Sequence, residues 1–307
     1  MCMPITIHAD KVSIYCCEYF LKSEGNIESP YFKPKFDTPL RCNSRQIPYL
    51  LPQIFYMQFV VAIAAVCPLR SEASHRSEMV SQLLFSEGAE VLEAAKDFTK
   101  IRCLYDGYEA WAQTSQLAEV DEEVAKAVPA GYSFKRNTIV MLNDTPMYVP
   151  LATPVFGNTF FGKHKIEYTD EETALFDPSY FTEEVIKMIA LLYENVPYLW
   201  GGKSSFGIDC SGLVQQVFKF FGKHLLRDAY QQATQGESIG FLQEVQCGDL
   251  AFFDNAEGRI VHVGILLNSE EIIHASGNVR VDTIDNYGII NRNTGMRTHQ
   301  LRVIKRV

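Results

Sequence analysis

The sequence predicts an α+β chain in which one or two small β-barrels precede a domain built from a buried helix and an antiparallel sheet. Three observations predict it. Short β-like runs divided by turn signals fill the stretch from about Phe59 to Val120. One strongly amphipathic helix pattern begins after Asp209, and three strand patterns in hairpin order run from Leu250 to Ala275. Closely spaced short strands fit a small barrel, and helices segregated from a run of hairpins fit an α+β domain.

Chain-wide properties narrow the function classes. A chain of 307 residues, 47% hydrophobic and 21% charged, has ordinary globular composition and room for two or three domains. The net charge is −9 without any long Lys/Arg run, which argues against nucleic acid or an anionic membrane surface as partner. Eight cysteines occur with no C-x-x-C pair, so neither a metal framework nor a disulfide framework is expected. Cys67 and Cys103 lie in apolar, strand-like runs and read as small packing residues. The apolar stretch from Ile47 to Val66 is interrupted by Pro48, Pro52, Gln53 and Gln58. It falls short of the roughly 18 clean apolar residues of a spanning helix, so no membrane insertion is expected. Arg41 and Arg45 with Ala62 to Ala65 offer pieces of a signal peptide. The run from Phe59 to Val66 is read instead as the first barrel strand, because the residues after it complete a barrel.

Residues 1–56 show no sustained period and many prolines, and read as a poorly packed extension, with Met57 standing where ordered patterning begins. Residues 57–121 form the expected first barrel. Val91-Leu92 and Lys100 to Leu104 are its strands, Asp106-Gly107 a hairpin turn, and Ala110 to Ala112 a short closing strand. Residues 122–178 read as a second, divergent barrel. Its runs Thr138 to Leu142 and Met147 to Leu151 are split by Asn143-Asp144, with turns at Gly157 and Gly162 and an end at Asp177-Pro178. The last domain, 179–307, opens on a helix capped by Thr182 with Glu183 and Glu184 in its first turn. Val185, Ile186, Ile189, Ala190 and Tyr193 recur along it at helical spacing up to Pro197.

The chemistry lies beyond Pro197. A glycine- and serine-rich loop leads to Asp209-Cys210-Ser211-Gly212, and Leu213, Val214, Val217, Phe218 and Phe221 then share one helix face up to Gly222. Cys210 therefore stands at a helix N-terminus, where unpaired N–H groups and the dipole favour a thiolate. Further on, Leu250 to Phe253, Ile260 to Leu267 and Ile272 to Ala275 are strands. His262 and His274 lie across the hairpin that joins the last two, so pairing can bring both imidazoles to one face. A thiol, a base and a third group that orients the base form the generalised triad of nucleophilic catalysis. Cys210 would attack, His262 would carry the proton, and His274 would fix the tautomer of His262. A metal site of Cys210, His262, His274 and Cys247 is the alternative, disfavoured because no two of these ligands are close in sequence.

The segments PYLWGG, GIDCSGLVQ, LRDAYQQA, CGDLAFFD, HVGIL and IIHASG, spread from about Thr182 to the end, resemble the NlpC-type peptidases that cut peptidoglycan stem peptides. LRSEASHRSEMVSQLLFSEGAEVLE followed by YDGYEAW resembles the bacterial SH3-like domains attached to cell-wall enzymes. The resemblance implies a papain-like catalytic domain with Cys210, His262 and His274 as its triad. It also implies Tyr198 beside the oxyanion site, with the Cys210 amide as a further donor. Members that join both domains hydrolyse γ-D-glutamyl bonds to a diamino acid in peptides with a free N-terminal L-alanine. By that resemblance Asp209 would read the amine with Ser211 and Asp228, and Glu78 and Tyr108 of the barrel would close the groove. Ala229 departs from the serine often found at its position. His164, His224 and His299 lack motif context and read as surface or packing residues. The expected partners are peptidoglycan-derived peptides, with neither metal nor organic cofactor. A cytoplasmic location is favoured, the periplasm or cell envelope being the alternative. Rival readings are a general wall endopeptidase, an inactive wall-binding protein, and an acyltransferase or amidase on the same scaffold.

Overall fold

A computed structural model describes residues 59–169, 173–174 and 181–307. The expectations about residues 1–56, Met57 and Asp177-Pro178 fall outside these residues.

Seven strands come first: β1 (Phe59–Ala62), β2 (Val66–Arg70), β3 (Met79–Leu84), β4 (Gly88–Ala94), β5 (Phe98–Cys103), β6 (Glu109–Gln113) and β7 (Leu117–Val120). They form one sheet in the order β3-β2-β6-β5-β4-β1-β7. Alternating apolar residues, among them Val60, Leu69, Leu83, Ile101 and Ala112, fill its core together with Cys67 and Cys103. The apolar run at Phe59 to Val66 is not one strand but two, broken at Ile63 to Ala65. Both faces of β1 are covered, Val60 and Ala62 by the barrel core and Val61 by the cluster shared with the next region, which accounts for four buried residues in a row.

After a single helical turn, α1 (Glu122–Ala125), come β8 (Gly131–Ser133), β9 (Asn137–Leu142), β10 (Thr145–Pro150), β11 (Pro154–Val155), β12 (Thr159–Phe161), β13 (His164–Tyr168) and β14 (Thr173–Ala174). They make two small sheets, β10-β9-β13-β12 and β11-β8-β14. Asn143 and Asp144 both take positive φ, as a tight hairpin between right-twisted strands requires. Val140, Val149, Phe161 and Ile166 pack on Val61, Phe85 and Ala118 of the first sheet, so this region shares a core with its neighbour.

The remaining residues fold around α2 (Glu183–Leu191), the short pair β15 (Lys203–Ser204) and β16 (Gly207–Ile208), α3 (Cys210–Lys219) and α4 (Ala229–Gln232). Then follow β17 (Glu237–Ile239), β18 (Leu250–Asp254), β19 (Ile260–Leu266), β20 (Glu271–Ser276), β21 (Asn278–Asp285), β22 (Gly288–Ile290) and β23 (Arg297–Arg306). The sheet order is β17-β23-β18-β19-β20-β21-β22, and β22 pairs back onto β23, which closes the ring. One face, with Phe252, Val263, Ile265 and Ile273, packs against Leu213, Val214 and Val217 of α3. The other, with Phe253, Leu266, Ile272 and Ile284, packs on itself. No helix among the described residues is long and apolar enough to cross a membrane.

A buried polar seam joins the first sheet to the nucleophile helix. Glu87 accepts from Lys219 Nζ at 2.5 Å, and Lys203 Nζ lies 3.8 Å from Glu87 and 3.9 Å from Asp106. All four side chains are buried. Burial of charge is costly unless the charges are paired, so this seam tolerates no sliding. Lys203 N also donates to Gln82 at 2.8 Å, and a Cβ on Gly201 would stand 2.5 Å from the Met79 carbonyl oxygen.

Candidate active site

Cys210 is the first residue of α3 and is buried. Asp209 caps the helix, accepting from the Gly212 amide at 2.7 Å. Gly212 is required there, because a Cβ would stand 2.2 Å from the Gly202 carbonyl oxygen. The glycine-rich loop and the helix start therefore interlock, which holds the thiol in place. Burial pushes the Cys210 thiol up to about 12, with Asp209 adding to the rise. The amides of Val263 and Ser211 and the charge of Arg227 oppose it. Cys210 is therefore a thiol at rest and needs a base to become a nucleophile.

His262 supplies one. It sits on β19 next to Val263, whose amide faces the Cys210 sulfur. Burial, then His274 and His299, hold the His262 imidazole well below its ordinary value, so it is neutral near pH 7. His262 Nε2 lies 2.9 Å from His274 Nδ1, and His274 Nε2 lies 3.0 Å from Asp282 Oδ2. Gly264 stands opposite His274 in the ladder, where a Cβ would crowd Ile272 and the His274 Cβ. Its bareness lets the two imidazoles meet diagonally. Asp282 Oδ1 accepts from Arg280 at 2.8 Å and from the Arg292 amide at 2.9 Å. Hydrogen bonds from His274, Arg280 and Arg292 outweigh burial and hold this carboxyl well below the usual carboxylate range. An ionised Asp282 only accepts, so His274 Nε2 donates to it, His274 Nδ1 accepts from His262 Nε2, and a lone pair remains on His262 Nδ1. That lone pair is the base.

Asp282 was not among the residues that sequence motifs marked. A signal was present: Arg280 pairs with His274 across the ladder, and Asp282 follows two residues on, on the same face. His299, expected at the surface or in packing, stacks on His262 with ring centroids 4.2 Å apart and planes at 22°. Cys247 is not part of the cluster. Its sulfur faces the Glu183 carbonyl oxygen on α2, so the four-ligand metal site considered from sequence does not assemble. The ligand atoms of His262, His274 and His299 lie within 4.8 Å of one another, but His262 Nε2 and His274 Nδ1 already bond each other.

Cys210 opens into a cleft of about 510 Å³. Tyr198, Asp209, Ser211 and Asp228 line it from the catalytic side, and Glu78 and Tyr108 from the first sheet. All the binding residues expected from sequence thus border one space. Burial, with Cys210 and Asp209, keeps the Tyr198 phenol protonated, a donor at the nucleophile's end. Glu78 Oε1 accepts from the Trp200 indole at 2.6 Å, a clasp from sheet to loop that the sequence did not reveal. Asp209 lines the cleft and is also held from the protein side. Its carboxylate accepts five hydrogen bonds: from Gly212, Gly201, Ser211 and two from a buried Arg227 guanidinium at 3.1 and 2.5 Å. Arg227 Nε in turn donates to Ser81 of the first sheet at 3.0 Å. Asp209 is therefore the cap and anchor of the nucleophile helix, with its charge already balanced.

A thiol at a helix start, an imidazole on an adjoining antiparallel sheet and a polar group behind the imidazole define a cysteine-hydrolase site of the papain-like kind. Residues 195–298 match the NlpC/P60 family, and residues 69–117 match the bacterial dipeptidyl-peptidase Sh3 domain. The chain thus carries an NlpC/P60 domain behind a bacterial Sh3 domain. It is 30% identical over 181 residues to a gamma-D-glutamyl-L-lysine dipeptidyl-peptidase of Bacillus subtilis, covering 55% of this chain but 60% of that relative. It is 28% identical over 262 residues to dipeptidyl-peptidase 6 of Lysinibacillus sphaericus, covering 73% of this chain and 91% of the relative. The crystal structure of an NlpC/P60 family protein from Bacillus cereus shares the fold, with TM-score 0.65 and 18% identity over 81% of this chain and 99% of that one.

Proposed function

We propose that the chain is a cysteine peptidase that hydrolyses the γ-D-glutamyl to diamino-acid bond of peptidoglycan stem peptides bearing a free N-terminal L-alanine. The observation that carries this reading is the shared cleft: the nucleophile opens into a space that a second domain closes with Glu78 and Tyr108. The name of the Bacillus subtilis relative, a gamma-D-glutamyl-L-lysine dipeptidyl-peptidase, supports the same bond.

His262 Nδ1 takes the proton of Cys210, and the thiolate adds to the amide carbonyl carbon. The Cys210 amide and the Tyr198 phenol are the donors available to the oxyanion. The C–N bond then breaks, the leaving amine takes the proton from His262, and a thioester remains on Cys210. Water, deprotonated by His262, attacks the thioester. The acid departs as the thiolate regains its proton.

The cleft is lined by Glu78, Asp209 and Asp228 and, among the described residues, by no lysine or arginine. With Asp209 balanced by Arg227, Asp228 and Glu78 are left to face a cation. Burial raises the Asp228 carboxyl above its ordinary value, more than Arg227 lowers it, so an ammonium beside it would be compensated. Such an acidic end suits the free amine of a peptide already cut from the wall. The free thiols Cys67, Cys103 and Cys247 fit a reducing compartment, which supports a cytoplasmic recycling role.

The test compares kcat/KM for L-Ala-γ-D-Glu-L-Lys and its N-acetylated form, with Cys210→Ala as the blank. Loss of one charge-assisted contact should lower kcat/KM about tenfold or more. Asp228→Asn should shrink that preference. Equal rates on both peptides would replace this reading with a general wall endopeptidase.

A further inference from the structure

Above the base lies a ring to which the peptidase mechanism gives no task. His299, half-buried on β23, lies nearly face to face with His262 at 4.2 Å and 22°. Phe253 is tilted against both rings, at 5.8 Å from each. His262 is therefore gripped from two sides, while its edge is tied to His274. Thr298 Oγ1 lies 2.8 Å from His299 Nδ1 and orients the stacking ring in turn. The stack exists because of an irregularity. The register of β18 against β23 shifts between Phe252↔Val303 and Phe253↔Leu301, leaving Arg302 as an extra residue. This bulge turns Leu301, and His299 two residues before it, to the face that carries Phe253 and His262.

We propose that His299 is a positioning residue of the hydrolytic machinery: its imidazole fixes the plane of His262 and stabilises the imidazolium that His262 becomes on taking the Cys210 proton. A flat, neutral ring on a cation is attractive, whereas a second cation there would repel it. Burial, and then His274, push His299 down to about 4, although Asp282 pulls the other way. It is thus neutral near pH 7. The groups facing the stacked pair are His274 from β20, and Asp282 with its partners Arg280 and the Arg292 amide. From β18 the neighbour is the uncharged Phe253. No other carboxylate is hydrogen-bonded to these imidazoles among the described residues.

The inference rests on the proposed function only in taking Cys210 and His262 as thiol and base. Its test therefore avoids the peptide. Alkylation of Cys210 by iodoacetamide, followed from pH 5 to 9 by mass spectrometry of the Cys210 peptide, reports thiolate formation whatever the natural substrate. His299→Leu fills the space without a π face, and His299→Phe restores the face without a titrating group. At pH 7 the Leu variant should alkylate about tenfold more slowly and show a shifted pH profile, with Phe recovering most of the rate. With an active peptide, the loss should fall on kcat and leave KM unchanged. A Leu variant with the wild-type rate and profile, or Leu and Phe variants slowed equally, would overturn the proposal and make His299 a packing residue. Slow alkylation in Leu but not Phe, with no peptide turnover in any form, would uphold it while refuting the substrate reading.

Discussion

Replacing Asp282 by Asn should harm turnover more than replacing it by Ala. The ordering comes from hydrogen-bond polarity. Asp282 Oδ2 accepts from His274 Nε2, whereas Oδ1 accepts from both Arg280 and the Arg292 amide. An asparagine has one acceptor end and one donor end. Turning its oxygen to the two donors aims its NH₂ at His274 Nε2. That nitrogen must then accept, His274 Nδ1 must donate to His262 Nε2, and the proton on His262 moves to Nδ1. The lone pair that serves Cys210 is gone. The opposite rotamer keeps the correct tautomer but faces two donors with a donor, at a cost on the order of 2–4 kcal/mol for the two lost bonds. Only the population in that rotamer is competent, so kcat should fall by roughly 30- to 900-fold. KM should hardly change, because Asp282 does not line the cleft. Alanine imposes no polarity, leaves His274 free to keep its tautomer, and should lose about tenfold through looser orientation. The assay is steady-state hydrolysis of L-Ala-γ-D-Glu-L-Lys beside alkylation of Cys210, with circular dichroism to show that both variants fold. Asparagine as active as alanine, or more so, would refute the tautomer chain.

Other outcomes follow from the buried groups. Glu87→Gln removes the carboxylate that Lys219 and Lys203 share. Breaking one side of such a pair typically costs about 3–5 kcal/mol, so Tm should fall by roughly 10 °C, and an unchanged Tm would show the seam to be dispensable. Because burial already lowers the Lys219 pKa, that loss should shrink as pH rises and the lysine sheds its proton. His262 and His299 both titrate below the ordinary histidine value, His299 at about 4. Between pH 6.5 and about 4 the unfolded chain therefore binds protons that the folded one refuses, and stability should fall as pH drops through that window. Thermal melts against pH check this, and His299→Phe should flatten part of the slope.

Cys210 at a helix start could be read from the glycine-rich loop, the Asp209 cap and the apolar face after it, because capping and helical periodicity act over a few residues. His262 and His274 could be paired because their strands are joined by a short hairpin, and alternation puts both on one face. Asp106-Gly107 and Asn143-Asp144 marked turns for the same local reason.

Asp282 was harder, since it lies one strand further on and matters only through a diagonal contact with His274. Asp209 was legible only in part. Its place in the motif suggested a reader of amines, yet Arg227 and Ser81, distant in sequence, converge to balance and anchor it. The buried pairing of Glu87 and Asp106 with Lys203 and Lys219 joins segments from both domains, and no local pattern distinguishes those four from surface charges. His299 was out of reach for a sharper reason. Strict alternation through β23 would send its ring to the face that Val303 shares with α3, and the extra residue at Arg302 reverses that parity. Sequence by itself determined which groups could do the chemistry, because reactivity and local structure reside in neighbouring residues. Tertiary structure decided which of them meet, because strand register and a single bulge set the direction of every side chain beyond them.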